Sequence, residues 1–377
     1  MSLDVLYVTD AEALGGAELY LETLLRHACA TGMRVGLALP TRPATAPLVD
    51  RARQMGAAVH PLEAVHRDGV SLGHLRRSLG LLERVRPSAV HLVLNGPRRC
   101  AEVALAAWLL RVPTRLATFQ LVTPIPRFGG AAGWARAANR RAQFRTFTAG
   151  VAVSRGNAAL LVGQYGFPTQ RLHTIPNGVD TAAFAARTGG MRARWGVPEA
   201  APLLGVVGRL GGQKGHALLL DALPTVWASF PEAHAVFVGQ GELEPQLRAQ
   251  ADRLGAAGRV RFAGAVERAQ VPQALAELDV FALPSLYEGL PFAVVEAMAA
   301  ARAIVATEVD GTREALDHGR TGLLVPPGQP APLAQAITRL LGDAALRQRL
   351  GAAAQAEAAS RFDERAMLAA TFALYRR

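Results

Sequence analysis

The chain of 377 residues has a single lysine, two cysteines and no long hydrophobic run. Cys29 and Cys100 lie far apart, a pattern that suggests neither a disulfide framework nor a metal site, and we interpret both as small core residues. Half of the residues are hydrophobic, but no segment approaches the ~20 consecutive apolar residues that span a bilayer. Residues 1–8 lack the basic leader of a signal peptide and predict a strand. We therefore expect a cytoplasmic protein.

Short apolar runs alternate with helical stretches along the whole sequence. The runs, each typical of a buried strand, lie at residues 3–8, 34–39, 89–94, 115–118, 203–207, 235–238, 260–262, 280–283 and 303–306. This alternation predicts an α/β fold in which right-handed crossover units build parallel sheets. The two sets of runs predict two doubly wound, Rossmann-like domains facing across a cleft, at residues 1–180 and 195–361, with a linker near 180–194.

Positive charge is distributed unequally along the chain. Residues 1–178 contain 21 arginines and 10 acidic residues, whereas 20 cations and 20 acidic residues balance over the rest. Part of the excess lies in one basic segment, with Trp134, Phe144 and Phe147 nearby, whose arginines are Arg127, Arg136, Arg140, Arg141 and Arg145. Such a segment can bind an anionic membrane, each charge near the surface contributing about 1 kcal/mol. An ordinary solvated helix is an equal alternative, and no nucleic-acid recognition motif accompanies the charge.

The lysine, Lys214, lies in the glycine-rich segment Gly208–His216. Glycines allow a ligand to approach the backbone closely, and Arg209 and Lys214 supply charge that matches phosphate oxygens. His216 can contact phosphate or lie on a helix surface. The segment predicts an anion-binding loop, with an ordinary solvated loop as the alternative.

Two carboxylates, Glu288 and Glu296, follow a strand predicted at residues 278–283. A helix is predicted at residues 293–302, with Pro291 close to its first turn. Carboxylates at a strand-to-helix turn can hold hydroxyl groups of a ligand whose phosphate lies at the helix N-terminus. Alternatively, Glu288 is only a favourable charge at the helix start and Glu296 a solvated helix residue. The apolar neighbours of Glu296 argue against the latter, because an unpaired carboxylate is costly among them.

With these motifs the sequence resembles the retaining GT-B glycosyltransferases of family four, also called group 1. The other segments that carry the resemblance are Gly15–Glu18, Val153–Ser154, Ile175–Asp180, Phe237–Gly241, Val260–Gly264 and Gly322–Pro326. The resemblance implies that residues 1–180 form an acceptor-side domain and that residues 195–361 bind a nucleotide sugar. It also implies that a last helix, at about 362–377, packs back on the first domain.

The resemblance further implies roles for individual residues. Arg209 and Lys214 would bind the donor diphosphate and stabilise the leaving group, and Glu288 would hold sugar hydroxyls. Glu296 would hold the ribose hydroxyls. The donor-binding positions besides these cations and Glu288 would be Gly16, Gln120, Val266, Gly289, Leu290, Pro291, Phe292 and Glu296. Positive charge would act here as a divalent metal does in other transferases, so no metal and no cofactor beyond the donor is expected.

Gln120 departs from the family pattern, in which a histidine often meets the donor sugar. Glutamine can form a hydrogen bond with a sugar hydroxyl but cannot carry a proton as imidazole can. This difference leaves a non-catalytic protein that binds sugar nucleotide or lipid as the alternative. A nicotinamide-dependent enzyme is less compatible, because Gly-x-Gly-x-x-Gly is not met. A GT-B epimerase or phosphorylase would share the architecture, but the glutamate pair favours a transferase.

We therefore predict a metal-independent retaining hexosyltransferase. Its acceptor is expected to be lipid-linked or a polysaccharide, in cell-surface glycan synthesis. We expect the protein to be cytoplasmic and to contact the inner membrane face peripherally through the basic segment. The expected partners are a nucleotide sugar, the acceptor and an anionic membrane surface, but not nucleic acid.

Overall fold

The computed structural model describes residues 2–63, 71–125, 141–186, 189–256 and 258–376. The chain divides into two compact units, the first made of Met1–Pro176 with Met367–Arg377 and the second of Asn177–Ala366. Each unit contains one parallel sheet with helices connecting its strands, which confirms the prediction of two doubly wound α/β domains.

The first unit contains a sheet of seven parallel strands. In chain order the strands are β1 (Val5–Thr9), β2 (Val35–Leu39), β3 (Ala58–Pro61), β4 (Ala89–Leu94), β5 (Thr114–Phe119), β6 (Ala149–Ala152) and β7 (Leu172–Thr174). Their spatial order is β3-β2-β1-β4-β5-β6-β7, so the direction of winding reverses between β1 and β4. The helices described between them include α1 (Gly16–Ala30), α2 (Ala46–Gln54), α3 (Leu72–Val85), α4 (Ala101–Leu109) and α5 (Arg155–Leu160).

The second unit contains a sheet of six parallel strands. They are β8 (Leu203–Val207), β9 (His234–Val238), β10 (Val260–Gly264), β11 (Val280–Leu283), β12 (Ala303–Thr307) and β13 (Leu323–Val325). Their spatial order is β10-β9-β8-β11-β12-β13, so the winding reverses between β8 and β11. In open sheets of this kind, ligands bind beyond the carboxyl ends of the two strands at the reversal.

Ten helices are described from residue 181 to the C-terminus. They are α6 (Thr181–Ala185), α7 (Met191–Trp195), α8 (His216–Ser229), α9 (Glu244–Arg253), α10 (Val271–Ala276), α11 (Phe292–Ala299), α12 (Asp310–Ala315), α13 (Pro330–Gly342), α14 (Ala344–Arg361) and α15 (Glu364–Ala373). The segment predicted as a linker therefore contains α6 and the start of α7.

Strands such as β8 and β11 form where the sequence is apolar at every position. Strands β1 and β8 are completely buried, as expected for parallel strands with helices against both faces. The helix predicted at residues 293–302 is shorter, because α11 ends at Ala299. Ala301 then adopts a left-handed conformation, with φ of 54°, and the chain turns into β12.

The C-terminal segment packs within the first unit around a buried histidine. On β4, His91 places its Nδ1 2.6 Å from the Tyr375 hydroxyl and its Nε2 2.8 Å from the Thr118 hydroxyl. The Tyr375 hydroxyl in turn donates to Tyr7 at 3.2 Å. Burial lowers the pKa of His91 to about 3, so the ring is neutral and can serve this hydroxyl network.

The basic segment lies partly outside the described residues, which exclude Arg127, Arg136 and Arg140. Arg141 and Arg145 are described and exposed. The expectation that Phe144 and Phe147 accompany them at a surface is wrong. Both rings are buried, with centroids 6.0 and 6.5 Å from that of Phe119, because the core beside β5 needs apolar volume.

Cys29 and Cys100 are half-buried rather than true core residues, although Cys100 packs against the hydrophobic core of the first unit. Among the described residues, no helix combines the length and the hydrophobicity that crossing a bilayer requires.

Candidate functional site

The candidate site is built from the two loops that follow β8 and β11. The backbone N–H of Leu286 in the second loop donates to the carbonyl of Gln213 in the first, at 2.8 Å. Gly215 has φ of 65°, and a Cβ at this position would lie 2.1 Å from the carbonyl oxygen of Pro284. Only glycine fits there, since any side chain would force the loops apart. The reversal of strand order thus brings both predicted motifs together.

Lys214 and Glu288 form an ion pair where the loops meet. The Lys214 ammonium donates to Glu288 Oε1 at 2.7 Å, and the Ser285 hydroxyl donates to the same oxygen at 2.7 Å. The Gln213 amide donates to Glu288 Oε2 at 3.2 Å. Glu288 is only 8% exposed. The alternative that it serves merely as a favourable charge at a helix start is therefore insufficient, because three side chains hold it in place.

Arg209 lies at the start of the same glycine-rich loop and pairs with Glu242. Its Nη1 donates to the two carboxylate oxygens of Glu242 at 3.0 and 3.2 Å. The side chains are 45% and 57% exposed, respectively. This ion pair is accessible to solvent, in contrast to the Lys214–Glu288 pair.

Glu296 lies on α11 and is buried, with 3% of its surface exposed. Its Oε1 accepts a hydrogen bond from the Arg268 guanidinium, which also lies 5.2 Å from the centre of the Phe184 ring. The alternative that Glu296 is a solvated helix residue is wrong. Its carboxylate is instead compensated by an arginine that is itself partly exposed.

The predicted backbone contacts, Gly289–Phe292, lead into the N-terminus of α11 and are buried. The Asn177 side chain donates to the Leu290 carbonyl at 3.0 Å and fixes this approach. Pro291 caps α11 without a side-chain hydrogen bond. The Val294 N–H donates to the Pro291 carbonyl at 3.1 Å, which leaves the amides of Phe292 and Ala293 as the ones that an anionic group of a ligand can use. Val266 lies just beyond β10 and is half-buried.

His216 begins α8 and is buried, so its assignment to a helix surface is wrong. Its ring centre lies 5.8 Å from that of Phe237. Burial, followed by the charge of Lys214, lowers the pKa of His216 to about 4. The neutral ring packs behind the loop and adds no positive charge to it.

The predicted residues of the first unit lie at its own reversal of strand order and beside it. Gly16 is the first residue of α1, and the carboxylate of Glu18 in the same first turn accepts from the Asn95 amide at 3.2 Å. Burial raises the pKa of Glu18 to about 7. Gln120 follows β5, is buried, and donates its backbone N–H to the Leu94 carbonyl at 2.9 Å.

The sequence interpretation missed the partners of the predicted residues. Ser285 stands three residues before Glu288 in the same motif, and Glu242 directly follows the Gly239–Gly241 segment, so both offered a signal. Arg268 offered none. It lies in the turn that follows β10, and no sequence pattern links that turn to Glu296 on α11. Among the described residues, no cluster of three or more histidine, cysteine or acidic side chains could hold a metal ion.

Comparison with known families matches both halves of the chain. A family described as "Glycosyltransferase Family 4" matches residues 14–183, and one described as "Glycosyl transferases group 1" matches residues 201–343. The two matches cover every described strand except β1, and the second covers the candidate site.

Curated relatives match over about half of the chain. The phosphatidyl-myo-inositol mannosyltransferase of Mycobacterium tuberculosis is 40% identical over 196 residues, which is 50% of each chain. The alpha-D-kanosaminyltransferase of Streptomyces kanamyceticus is 29% identical over 187 residues, 48% of each. The matched part thus spans about half the length of these relatives.

A solved structure matches along nearly the whole chain. The Anabaena protein HepE, in complex with UDP and glucose, has a TM-score of 0.80 at 24% identity, with 98% of each chain covered. This similarity confirms the predicted GT-B fold of two Rossmann-like domains.

Proposed function

Because the chain belongs to the group 1, family 4 glycosyltransferases, we propose that it transfers a sugar from a nucleotide-diphosphate donor to an acceptor hydroxyl. The observation that supports this most is the buried Lys214–Glu288 pair at the β8–β11 reversal, next to the N-terminus of α11. This arrangement provides a cation, a carboxylate and backbone amides within one short stretch of sheet edge. A diphosphate linked to a sugar needs all three.

In this proposal, Arg209 and Lys214 bind the diphosphate. Their charge would stabilise the negative charge that develops as the nucleoside diphosphate leaves, and the first amides of α11 would add to it. Arginine presents several N–H donors in a planar fork, so Arg209 can contact phosphate oxygens through groups other than its Nη1. We propose that these cations make the reaction independent of a divalent metal.

Glu288 would hold a hydroxyl of the donor sugar. A carboxylate offers about four lone-pair positions, and Lys214, Ser285 and Gln213 account for three. A sugar hydroxyl can therefore donate to Oε2 without displacing any of these partners. Glu296 would hold the ribose hydroxyls in the same way, beside Arg268.

The chemical step we propose retains the anomeric configuration. The bond between the anomeric carbon and the phosphate oxygen breaks, and the acceptor oxygen forms a bond on the same face. The proton of the acceptor hydroxyl passes to the departing phosphate oxygen. The transition state is oxocarbenium-like, and no covalent intermediate with a side chain is invoked.

For the acceptor we propose a lipid-linked or polysaccharide glycan at an anionic membrane surface. The support is the net charge of +11 on residues 1–178, the exposure of Arg141 and Arg145, and a relative named for phosphatidyl-myo-inositol. Anionic vesicles should sediment the protein at low salt and release it at high salt. Failure to sediment at low salt would remove the membrane part of the proposal.

The donor site is tested by thermal unfolding with a panel of UDP-, GDP- and ADP-sugars and with NAD. A ligand at about a hundred times its Kd should stabilise the fold by about 2.7 kcal/mol. We expect one sugar nucleotide to raise Tm and Lys214→Ala to abolish the shift. Arg248→Ala, which loses an ion pair with Glu244 and a contact with the Phe262 ring, should keep it.

The opposite results would contradict the assignment. A shift with NAD alone would indicate a different α/β enzyme. A shift with a sugar nucleotide but no transfer to any acceptor would favour the non-catalytic binding protein, for which Gln120 leaves room.

A further inference from the structure

We infer that Glu242 is a built-in competitor of the donor diphosphate, a carboxylate that occupies Arg209 when the site is empty and thereby weakens donor binding. The inference rests on the proposed donor site and adds a residue to it that tunes affinity. It starts from how the loops after β8 and β9 are joined.

Backbone hydrogen bonds hold these two loops side by side. Gly208 N–H donates to Val238 O at 2.9 Å, Leu210 N–H to Gln240 O at 2.9 Å, and Leu243 N–H back to Leu210 O at 3.0 Å. The position of residue 242 relative to the glycine-rich loop is therefore fixed by the main chain on both sides.

Two glycines make this close approach possible. A Cβ at Gly239, where φ is 142°, would lie 2.0 Å from the carbonyl oxygen of Gly208. A Cβ at Gly241 would lie 2.3 Å from the carbonyl oxygen of Leu210. With neither side chain present, the second loop can pack directly on the first, and Glu242 follows as the next residue.

The Glu242 carboxylate consequently lies over the anion-binding loop. One of its oxygens is 2.9 Å from where a Cβ of Gly211 would stand, and both oxygens accept from Arg209. Carboxylate and phosphate oxygens attract a guanidinium in the same way, so the two compete for it. A diphosphate bound at Arg209 must either displace Glu242 or remain near its negative charge.

The pair is weak enough to exchange. Both side chains are about half exposed, and ion pairs of this kind add little stability because solvent screens them. The buried Lys214–Glu288 pair is different, since three groups hold its carboxylate. The Lys214–Glu288 pair is thus fixed and positions the ligand. The Arg209–Glu242 pair can exchange its carboxylate for a phosphate, and this exchange lowers the affinity for the ligand.

The experiment measures the Kd of UDP, GDP and ADP by isothermal titration calorimetry. At low salt, Glu242→Gln should lower the Kd of the preferred nucleotide about two- to fivefold, equivalent to about 0.4–1 kcal/mol. Glu244→Gln is the matched control. It removes the same charge only two residues from Glu242, but the Glu244 carboxylate pairs with Arg248 and not with Arg209. It should change the Kd by less than Glu242→Gln does.

A double-mutant cycle with Arg209→Ala isolates the proposed competition from general repulsion. In that background, Glu242→Gln should have little effect, because the group for which the carboxylate competes is gone. Equal tightening with and without Arg209 would overturn the inference, as would weaker binding by Glu242→Gln in the parent. If the parent binds none of the three nucleotides, the proposed donor site fails instead, which is a separate result.

Discussion

The two sheets reverse their winding at equivalent places but carry different chemistry there. In the second unit, the loops after β8 and β11 present Arg209, Lys214 and Glu288, with cation and carboxylate paired. In the first unit, the segment after β1 supplies the carboxylates of Asp10 and Glu18, and the loop after β4 supplies their partners Arg99 and Asn95. Asp10 pairs with Arg99 at 3.1 Å, and Glu18 is held by the neutral amide of Asn95.

The difference indicates that the fold determines where a ligand can bind, and that the loop sequences determine which chemical groups meet it there. Both units offer a helix N-terminus at the edge of a parallel sheet, which favours anions on general grounds. The second adds two cations in a glycine-rich loop, paired with Glu242 and Glu288, whereas Arg99 in the first pairs with the buried carboxylate of Asp10. The first buries carboxylates there, although residues 1–178 contain all of the net positive charge of the chain. Net charge alone would point to the first unit for an anion site, whereas the loop chemistry favours the second.

The largest expected effect concerns the contact between the loops of the second unit. Gly215→Ala should destabilise the protein by about 3 kcal/mol or more, because φ is positive and the added Cβ would collide with Pro284. Gly212→Ala is the control in the same loop, since its Cβ would have no neighbour within 4 Å. Denaturant unfolding measures both, and equal stability of the two variants would refute the loop geometry.

The next effect concerns the buried carboxylate of the first unit. Glu18 has a folded-state pKa of about 7 against an ordinary value of 4.5, so the folded protein binds this proton more tightly than the unfolded one. The stabilisation is fully present below about pH 4.5 and is lost as pH rises through 7. The shift corresponds to about 3 kcal/mol.

Glu18→Gln should therefore match the parent near pH 4.5 and become more stable than it, by up to about 3 kcal/mol, near pH 8. Unfolding free energies at several pH values measure this. Glu22→Gln, on the same helix and paired with Arg51 at 2.9 Å, shows the effect of losing an ordinary ion pair. A constant difference between the Glu18 variant and the parent at all pH values would contradict the assignment.

The smallest of the three effects concerns Glu288. Glu288→Gln should slow sugar transfer at least tenfold, because a charged hydrogen bond to a sugar hydroxyl contributes about 1.5–3 kcal/mol. Glu308→Gln, which loses only an exposed pair with Arg313, should stay near the parent rate. Transfer rates within a few-fold of the parent, with an unchanged Tm, would show that Glu288 is not part of the donor site.

The sequence predicted the sheets well, because buried parallel strands are continuous apolar runs such as Leu203–Val207 and Val280–Leu283. The resemblance to family four also implied that Lys214 and Glu288 serve one donor site, and the structure brings them into contact beyond β8 and β11. The sequence did not predict which charges would pair. The contacts of Arg209 with Glu242 and of Arg268 with Glu296 join residues 33 and 28 positions apart. Their geometry is set by loop packing rather than by any periodic pattern. Phe144 and Phe147 were wrongly expected at a surface, because their burial also depends on tertiary packing rather than on a periodic pattern.

We propose above all that a nucleotide diphosphate binds at the reversal of strand order in the second unit. Hydrogen–deuterium exchange of the intact chain, with and without the nucleotide selected by the panel, tests it most directly. We expect slower exchange of backbone amides in residues 208–215 and 284–293, where the two loops and the start of α11 meet. Protection confined to the loops after β1 and β4, with none in the second unit, would contradict it.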